Sequence, residues 1–193
     1  VDASNVIENS EGTYDLRVSE YRVAGLAPCS GEPFRNQPVV AFCTGFMVGP
    51  DLIATAGHCI DDSELLGARF VFGFRMEDAN TPRTTVDAEE VYTGVEVVAR
   101  QLEGSFDYAV VRVDRDIVAP GAAILPLRTA GEIAPGTQVG VVGHPAGLPV
   151  KIAFGDQTLV RDSHYPAFFV ADLDRHGGNS GSSVCNSDTG VGD

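Results

Sequence analysis

The stretch VVAFCTGFMVGPDLIATAGHCI, residues 39–60, is the longest apolar region of the chain and indicates its fold class. Gly49, Pro50 and Asp51 interrupt it, and other turn-forming and polar residues lie within it, so it does not qualify as a membrane-spanning helix. Short runs rich in Val, Ile and Phe that end at Gly, Pro or Asp are typical of β-strands. We therefore predict two strands here, and no transmembrane segment.

Similar short runs recur on the C-terminal side of this stretch. They are ARFVFGF (68–74), EVYTGVEVVA (90–99), YAVVRV (108–113), QVGVVG (138–143), KIAFG (151–155) and AFFVADL (167–173). No long stretch has the 3.6-residue periodicity of a helix, and the chain holds 22 Gly and 11 Pro. The pattern predicts an all-β protein built as a barrel or a sandwich.

Residues 116–136, DIVAPGAAILPLRTAGEIAPG, are rich in Pro, Gly and Ala and lie between two strand-dense regions. Such a composition is typical of a connection that runs across the surface. It predicts two β units, residues 1–115 and residues 137–193, joined by this segment.

Charge and cysteine content narrow the function classes. The formal net charge is −14, from 13 basic and 27 acidic residues spread along the chain, which argues against nucleic acid as a partner. This charge serves solubility or attracts cationic substrates, and composition does not separate the two. None of the four cysteines forms a C-x-x-C pair, which favours disulfides and an exported protein, either secreted or periplasmic.

Three separate stretches carry residues suited to acyl transfer: TAGHC with His58, SFDYAVV with Asp107 and GGNSGSSV with Ser180. A serine nucleophile needs a base, a carboxylate that orients the base, and amide donors for the oxyanion. Each stretch alone is a weak signal. Together they stand in the order His, Asp, Ser, which is one of the chain orders known to build this triad.

From about Cys29 onward the chain resembles the chymotrypsin-like serine peptidases. VVGHPAGLPVKIAFG followed by ADLDRHGGNSGSSV is most similar to the bacterial branch that includes the staphylococcal glutamyl endopeptidases. The resemblance implies two antiparallel six-stranded β-barrels with the site in the cleft between them. It also implies an endopeptidase that acts on proteins or peptides and needs no cofactor.

Carried over by position, the resemblance makes Ser180 the nucleophile, His58 the general base and then general acid, and Asp107 the carboxylate that orients the imidazole. The backbone N–H groups of Gly178 and Ser180 would form the oxyanion hole. One departure concerns activation, because Asn179 stands where trypsins have an aspartate that pairs with a new N-terminus.

The resemblance also bears on the cysteines. Cys43 and Cys59 bracket the candidate histidine as the family's histidine-loop disulfide does, so we expect them to be bonded. We expect a second bridge between Cys29 and Cys185 where the two units touch, and the alternative is that Cys185 pairs with a cysteine outside this sequence.

Substrate preference is left open by the residues before the nucleophile. Asp174 has the spacing at which trypsin-like enzymes bind Lys or Arg side chains. The glutamyl endopeptidase-like alignment instead places Arg175 and His176 at the pocket wall, where they would favour an acidic side chain. The third alternative is that these residues contact no substrate.

Two further expectations concern partners and ligands. Peptidases of this fold continue well past the nucleophile, so we expect a second polypeptide, made by a nick after Asp193, to complete the second barrel. The histidines at 144, 164 and 176 are too scattered for a metal site, and His144 is expected to support a turn before Pro145.

Two rival functions remain at this stage. One is a non-catalytic homologue that binds a partner in its cleft, although the presence of His58, Asp107 and Ser180 argues against it. The other is a periplasmic protease of the HtrA type, which shares the GNSG turn but lacks the Cys43 and Cys59 pair.

Overall fold

The computed structural model describes residues 1–165, 167–173 and 177–192, and these residues are almost entirely β structure and loops. The strands are β1 Val6–Glu8, β2 Tyr14–Leu16, β3 Ser19–Glu20, β4 Pro38–Val39, β5 Phe46–Gly49, β6 Leu52–Thr55, β7 Phe70–Val71, β8 Thr85–Val86, β9 Val91–Tyr92, β10 Gly94–Gln101, β11 Tyr108–Val113, β12 Gln138–Gly143, β13 Lys151–Asp162, β14 Val170–Ala171 and β15 Ser183–Asn186. Short 3₁₀ turns occur at Ala3–Asn5, Leu65–Gly67, Ala88–Glu90 and Pro145–Gly147. No helix in the described ranges has the length and apolar character needed to cross a bilayer.

Two four-stranded antiparallel sheets dominate the molecule. The first has the strand order β10-β11-β6-β5 and the second the order β14-β13-β12-β15. A three-stranded sheet, β1-β2-β8, and two strand pairs, β3-β4 and β7-β9, complete the β structure of the described residues.

The all-β class predicted from the sequence is confirmed, but the six-stranded barrels that the resemblance implies, the second of them incomplete in this chain, are not. Within the described ranges no sheet exceeds four strands. Strands β7 and β9 are two residues long and pair only with each other, and register shifts interrupt the β10-β11 ladder at two places. Residues 114–137 form no strand. The division into two units stays a prediction.

Alternation along the strands explains where the core lies. In β11 the side chains of Ala109, Val111 and Val113 are buried, while the residues between them are more exposed. This period of two places alternate side chains on opposite faces of the sheet. In the second sheet, Val139 of β12 and Val160 of β13 are buried in one hydrophobic cluster.

A buried ion pair holds the loop region around β9. Glu90 is 1% exposed, and its carboxylate accepts hydrogen bonds from Arg83 Nη1 and Nη2, each at 2.6 Å, and from Asp87 N at 2.9 Å. Desolvation acts to raise the pKa of Glu90, but the hydrogen bonds from Arg83 and Asp87 outweigh it, so the pKa lies below the usual value. The carboxylate therefore stays ionised in the folded protein at neutral pH.

Replacing Glu90 by glutamine is expected to lower the free energy of unfolding by about 3 kcal/mol, because Arg83, whose side chain is only 16% exposed, would lose its closest carboxylate and keep only the longer contact with Asp87. Since folding lowers the pKa of Glu90, its contribution is present above the unfolded-state value and is lost as pH falls through the folded-state value. Urea unfolding of both proteins at pH 7 and at pH 3 measures this. The difference between them should shrink at pH 3.

The matched control is Glu96→Gln. Glu96 accepts a hydrogen bond from Arg112 Nε at 3.0 Å, but its side chain is 57% exposed. An exposed pair of this kind contributes on the order of 0.5 kcal/mol. Equal losses for Glu90→Gln and Glu96→Gln would contradict the buried-pair explanation.

Candidate active site

Two antiparallel strands of the first sheet bring His58 next to Asp107. Strands β6 and β11 pair with Thr55 opposite Ala109. His58 comes just after the end of β6, and Asp107 comes just before the start of β11. Because the two strands are antiparallel, the register places both residues at the same end of this strand pair. Asp107 Oδ2 lies 2.6 Å from His58 Nδ1, and Asp107 Oδ1 accepts a hydrogen bond from His58 N at 2.9 Å.

Close backbone packing at Gly57 permits this geometry. A Cβ at Gly57 would lie 2.8 Å from Gln101 O and 2.9 Å from Tyr108 O, so only glycine fits between the two strand ends. Arg100 Nε donates a hydrogen bond to Gly57 O at 2.7 Å. These contacts hold the histidine loop against the segment that carries Asp107.

The electrostatics of the pair suit an imidazole oriented by a carboxylate. Desolvation acts to raise the pKa of Asp107, but hydrogen bonds from the His58 ring and backbone amide, with the charge of His58, hold it below the usual aspartate value. The carboxylate is thus ionised at neutral pH. Because it can only accept, His58 Nδ1 carries the proton, which leaves Nε2 as an acceptor when the ring is neutral.

The turn that carries Ser180 packs against the same loop. Ser180 O accepts a hydrogen bond from Thr44 N at 2.8 Å and lies 3.9 Å from Cys59 Sγ. A ring nitrogen of His58 lies within 4.8 Å of the sulfurs of Cys43 and Cys59. The Ser180 backbone and the His58 ring therefore both lie beside the disulfide between Cys43 and Cys59.

Within the part of the chain that the structure describes, the Ser180 hydroxyl makes no hydrogen bond, so it is not bonded to His58 in this state. Such contacts are often long without substrate and shorten in the complex. The His58 and Asp107 side chains are 47% and 43% exposed. The site is open to solvent on this side.

Gly178 allows the sharp turn before the nucleophile. Its φ is +94°, which non-glycine residues rarely adopt, and a Cβ there would lie 2.8 Å from both Ala146 N and His144 O. Among the described residues, neither the Gly178 amide nor the Ser180 amide donates a hydrogen bond. Both N–H groups of the predicted oxyanion hole are therefore unpaired there.

The cysteine expectations are resolved in part. Cys43 and Cys59 form the predicted disulfide, with their Cα atoms 6.2 Å apart. The expected bridge between Cys29 and Cys185 is wrong, since both are free thiols. Cys29 is exposed in a loop, whereas Cys185 is buried in β15.

Several sequence-based expectations fall on residues outside the described ranges. The candidate specificity residues Asp174, Arg175 and His176 are among these, and so is Asp193.

The activation question raised by Asn179 concerns two groups that the structure describes. The Val1 amino group donates a hydrogen bond to Arg69 O at 3.0 Å, and Asn179 Oδ1 accepts one from Ser182 Oγ at 3.4 Å.

His144 supports a turn, but the turn begins at Pro145, whereas the sequence predicts one before Pro145. It caps the Pro145–Gly147 turn, and its Nδ1 donates to Leu148 O at 2.9 Å. Desolvation lowers the pKa of His144, which favours the neutral ring. In the described ranges, the cluster with metal-ligand spacing is Cys43, His58 and Cys59, and it is unsuited to a metal because its two sulfurs are bonded to each other.

Sequence reasoning missed Thr44, the residue that joins the two sheets at the site. Thr44 is 8% exposed, and its backbone and hydroxyl contact both the Ser180 turn and the His144 turn. No feature of the neighbouring sequence singles out Thr44, because a threonine within an apolar run is common in β-strands.

Comparison with known proteins defines the family. The model of the trypsin-like peptidase domain matches residues 43–191, and the chain belongs to this family. Brachyurin from Leptuca pugilator is 26% identical over 166 residues, which cover 77% of this chain and 69% of brachyurin.

Solved structures agree on the fold. A Glu endopeptidase in complex with MPD has a TM-score of 0.52 at 19% identity and covers 77% of this chain and 70% of that chain. Human heparin binding protein has a TM-score of 0.56 at 14% identity and covers 78% of this chain and 71% of that chain. At these identities the likeness shows the fold alone, and it is the chymotrypsin-like fold expected from the sequence.

Proposed function

We propose that this chain is a serine endopeptidase that hydrolyses peptide bonds through an acyl-enzyme on Ser180. The observation that carries the proposal is the His58–Asp107 pair, with Nδ1 and Oδ2 2.6 Å apart, beside the turn in which the amides of Gly178 and Ser180 donate no hydrogen bond among the described residues. Membership of the trypsin-like peptidase family supports it.

The proposed reaction uses the chain's own groups. His58 Nε2 takes the proton of the Ser180 hydroxyl as its oxygen attacks the scissile carbonyl, and the imidazolium is stabilised by the ionised Asp107. The N–H groups of Gly178 and Ser180 bind the oxyanion of the tetrahedral intermediate. His58 then protonates the leaving amine and activates the water that releases the acid product.

Export of the protein is part of the proposal. The Cys43–Cys59 disulfide supports it, because disulfides persist in oxidising compartments outside the cytosol. The proposed partners are protein or peptide substrates. With a net charge of −14, polyanions such as nucleic acids are disfavoured as ligands.

The first test is covalent labelling. A fluorophosphonate probe should add once per chain, and peptide mapping should place the adduct on Ser180, because only an activated serine reacts rapidly. Heat-denatured protein is the control and should not react. A folded protein that takes no adduct and cleaves no peptide would favour the non-catalytic binding homologue instead.

A peptide library addresses specificity. The peptides differ only in the residue before the scissile bond, which is basic, acidic or neutral. Cleavage after Lys or Arg that is lost in Asp174→Asn would assign Asp174 to substrate binding. Cleavage after Asp or Glu that is lost in Arg175→Gln or His176→Gln would assign the alternative pocket, and cleavage indifferent to all three variants would remove these residues from the site.

A further inference from the structure

Every backbone carbonyl of the turn from Gly177 to Ser180 accepts a hydrogen bond. Gly177 O accepts from Ala146 N, and Asn179 O accepts from Ser182 N at 2.8 Å. The other two depend on one residue: Gly178 O accepts from the Thr44 hydroxyl at 3.3 Å, and Ser180 O from Thr44 N at 2.8 Å.

These carbonyls determine where the oxyanion donors point. In a planar trans peptide the C=O of one residue and the N–H of the next point in opposite directions. Holding Gly177 O therefore orients the Gly178 N–H, and holding Asn179 O orients the Ser180 N–H. The Gly178–Asn179 peptide lies between these two donors, and its carbonyl is the one that the Thr44 hydroxyl holds.

The Thr44 hydroxyl hydrogen-bonds two backbone groups. It donates to Gly178 O and accepts from His144 N at 2.9 Å, so it links the nucleophile turn to the turn after β12. Thr44 is buried, and within the described ranges no other donor reaches Gly178 O. Losing this hydroxyl would leave both backbone groups without a partner.

The second turn, Pro145–Gly147, is fixed by its own backbone conformation and by a hydrogen bond to another segment. Ala146 has a φ of +53°, a conformation that alanine adopts at a cost of about 1 kcal/mol or more. Gly147 O accepts a hydrogen bond from Val40 N at 3.0 Å, which ties this turn to the segment preceding Thr44. The amide of Ala146 is thereby presented to Gly177 O.

We propose that Thr44 is a positioning residue for the oxyanion hole, and that its hydroxyl keeps the Gly178 and Ser180 amides aligned by holding Gly178 O and His144 N together. The inference rests on the proposed role of Ser180. Thr44 acts through the turn and does not touch substrate, so its effect belongs to the transition state and not to ground-state binding.

The test compares Thr44→Val, which keeps the branched shape without the hydroxyl, with Thr44→Ser, which keeps the hydroxyl. For Thr44→Val we expect kcat to fall by about tenfold, a fraction of the loss caused by removing a whole oxyanion donor. KM should stay within about twofold of the parent value, because the contacts that bind substrate equally in the ground state and the transition state are unchanged. Thr44→Ser should restore most of kcat.

A second readout reports the oxyanion directly. A peptide aldehyde forms a tetrahedral adduct with the serine, so its inhibition constant should weaken in Thr44→Val by about the same factor as kcat. If Thr44→Val does not fold, Thr44→Ala against Thr44→Ser makes the same comparison, since these two variants differ only in the hydroxyl oxygen.

Tyr92→Phe is the matched control for stability. The buried Tyr92 hydroxyl also donates to a carbonyl, Glu89 O at 2.5 Å, and accepts from an amide, Val118 N at 2.9 Å, but it lies in the first sheet's core. This variant should lose comparable stability and keep its kcat.

The outcomes separate the inference from the proposed function. An unmodified protein that neither reacts with fluorophosphonate nor cleaves peptides overturns the proposed function itself. An active parent with unchanged kcat in Thr44→Val overturns only the role of Thr44. So does a loss that Thr44→Ser fails to restore, or one that Tyr92→Phe reproduces.

Discussion

Replacing Ser180 by alanine is expected to lower kcat for peptide hydrolysis by about six orders of magnitude, because the acyl-enzyme route loses its nucleophile. A weak residual rate above that of water should remain, since the amides of Gly178 and Ser180 would still be in place. Steady-state kinetics on a chromogenic peptide measures the loss. Intact mass spectrometry after fluorophosphonate treatment should show no adduct.

Ser187→Ala is the matched control for this substitution. Ser187 is an exposed serine just beyond β15, so its variant should react with the probe and cleave peptide like the parent protein. Labelling that persists in Ser180→Ala would place the reactive group elsewhere. Turnover that persists at a tenth of the parent rate would contradict a serine nucleophile at this position.

Replacing Asp107 by asparagine is expected to lower kcat by about four orders of magnitude at neutral pH. Asparagine has nearly the same shape, but its amide can donate to His58 Nδ1, and this stabilises the tautomer whose Nε2 already carries a proton. Such a ring cannot accept the proton of Ser180. The measurement is kcat against pH for both proteins, with thermal unfolding as a check on folding.

The control for this change is Asp114→Asn. Asp114 also accepts a hydrogen bond from a backbone amide, Thr93 N at 3.0 Å, and one from a side chain, Arg115 Nη1 at 2.9 Å, but it lies at the other end of β11. Its variant should keep kcat within about twofold, as a surface substitution usually has a small effect. A loss of less than about tenfold in Asp107→Asn would show that His58 does not need this carboxylate, contrary to the triad template.

Much of the site could be predicted because its parts are marked locally. Each candidate residue lies in a short motif that can be recognised from its sequence neighbours. Glycines flank Ser180, apolar runs lie beside His58 and Asp107, and two cysteines bracket the histidine. The Cys43–Cys59 bridge was predicted from the family resemblance, and the structure forms it.

Features that depend on distant segments were harder to predict. The Cys29–Cys185 bridge required two remote strands to meet, and these thiols are free. The six-stranded barrels implied by the resemblance required register across many strands, and the described sheets hold four strands at most. Strand pairing depends on long-range contacts that local pattern does not specify.

By itself the sequence determined the all-β class, the family resemblance and the residue types of the candidate site, because alternation, turn residues and short motifs are local properties. The tertiary structure alone decided which groups meet. The β6-β11 register joins His58 to Asp107, and the two turns at the end of the second sheet converge on Thr44. Such contacts depend on the register of strands far apart in the chain, and one residue of slip would turn every side chain to the other face.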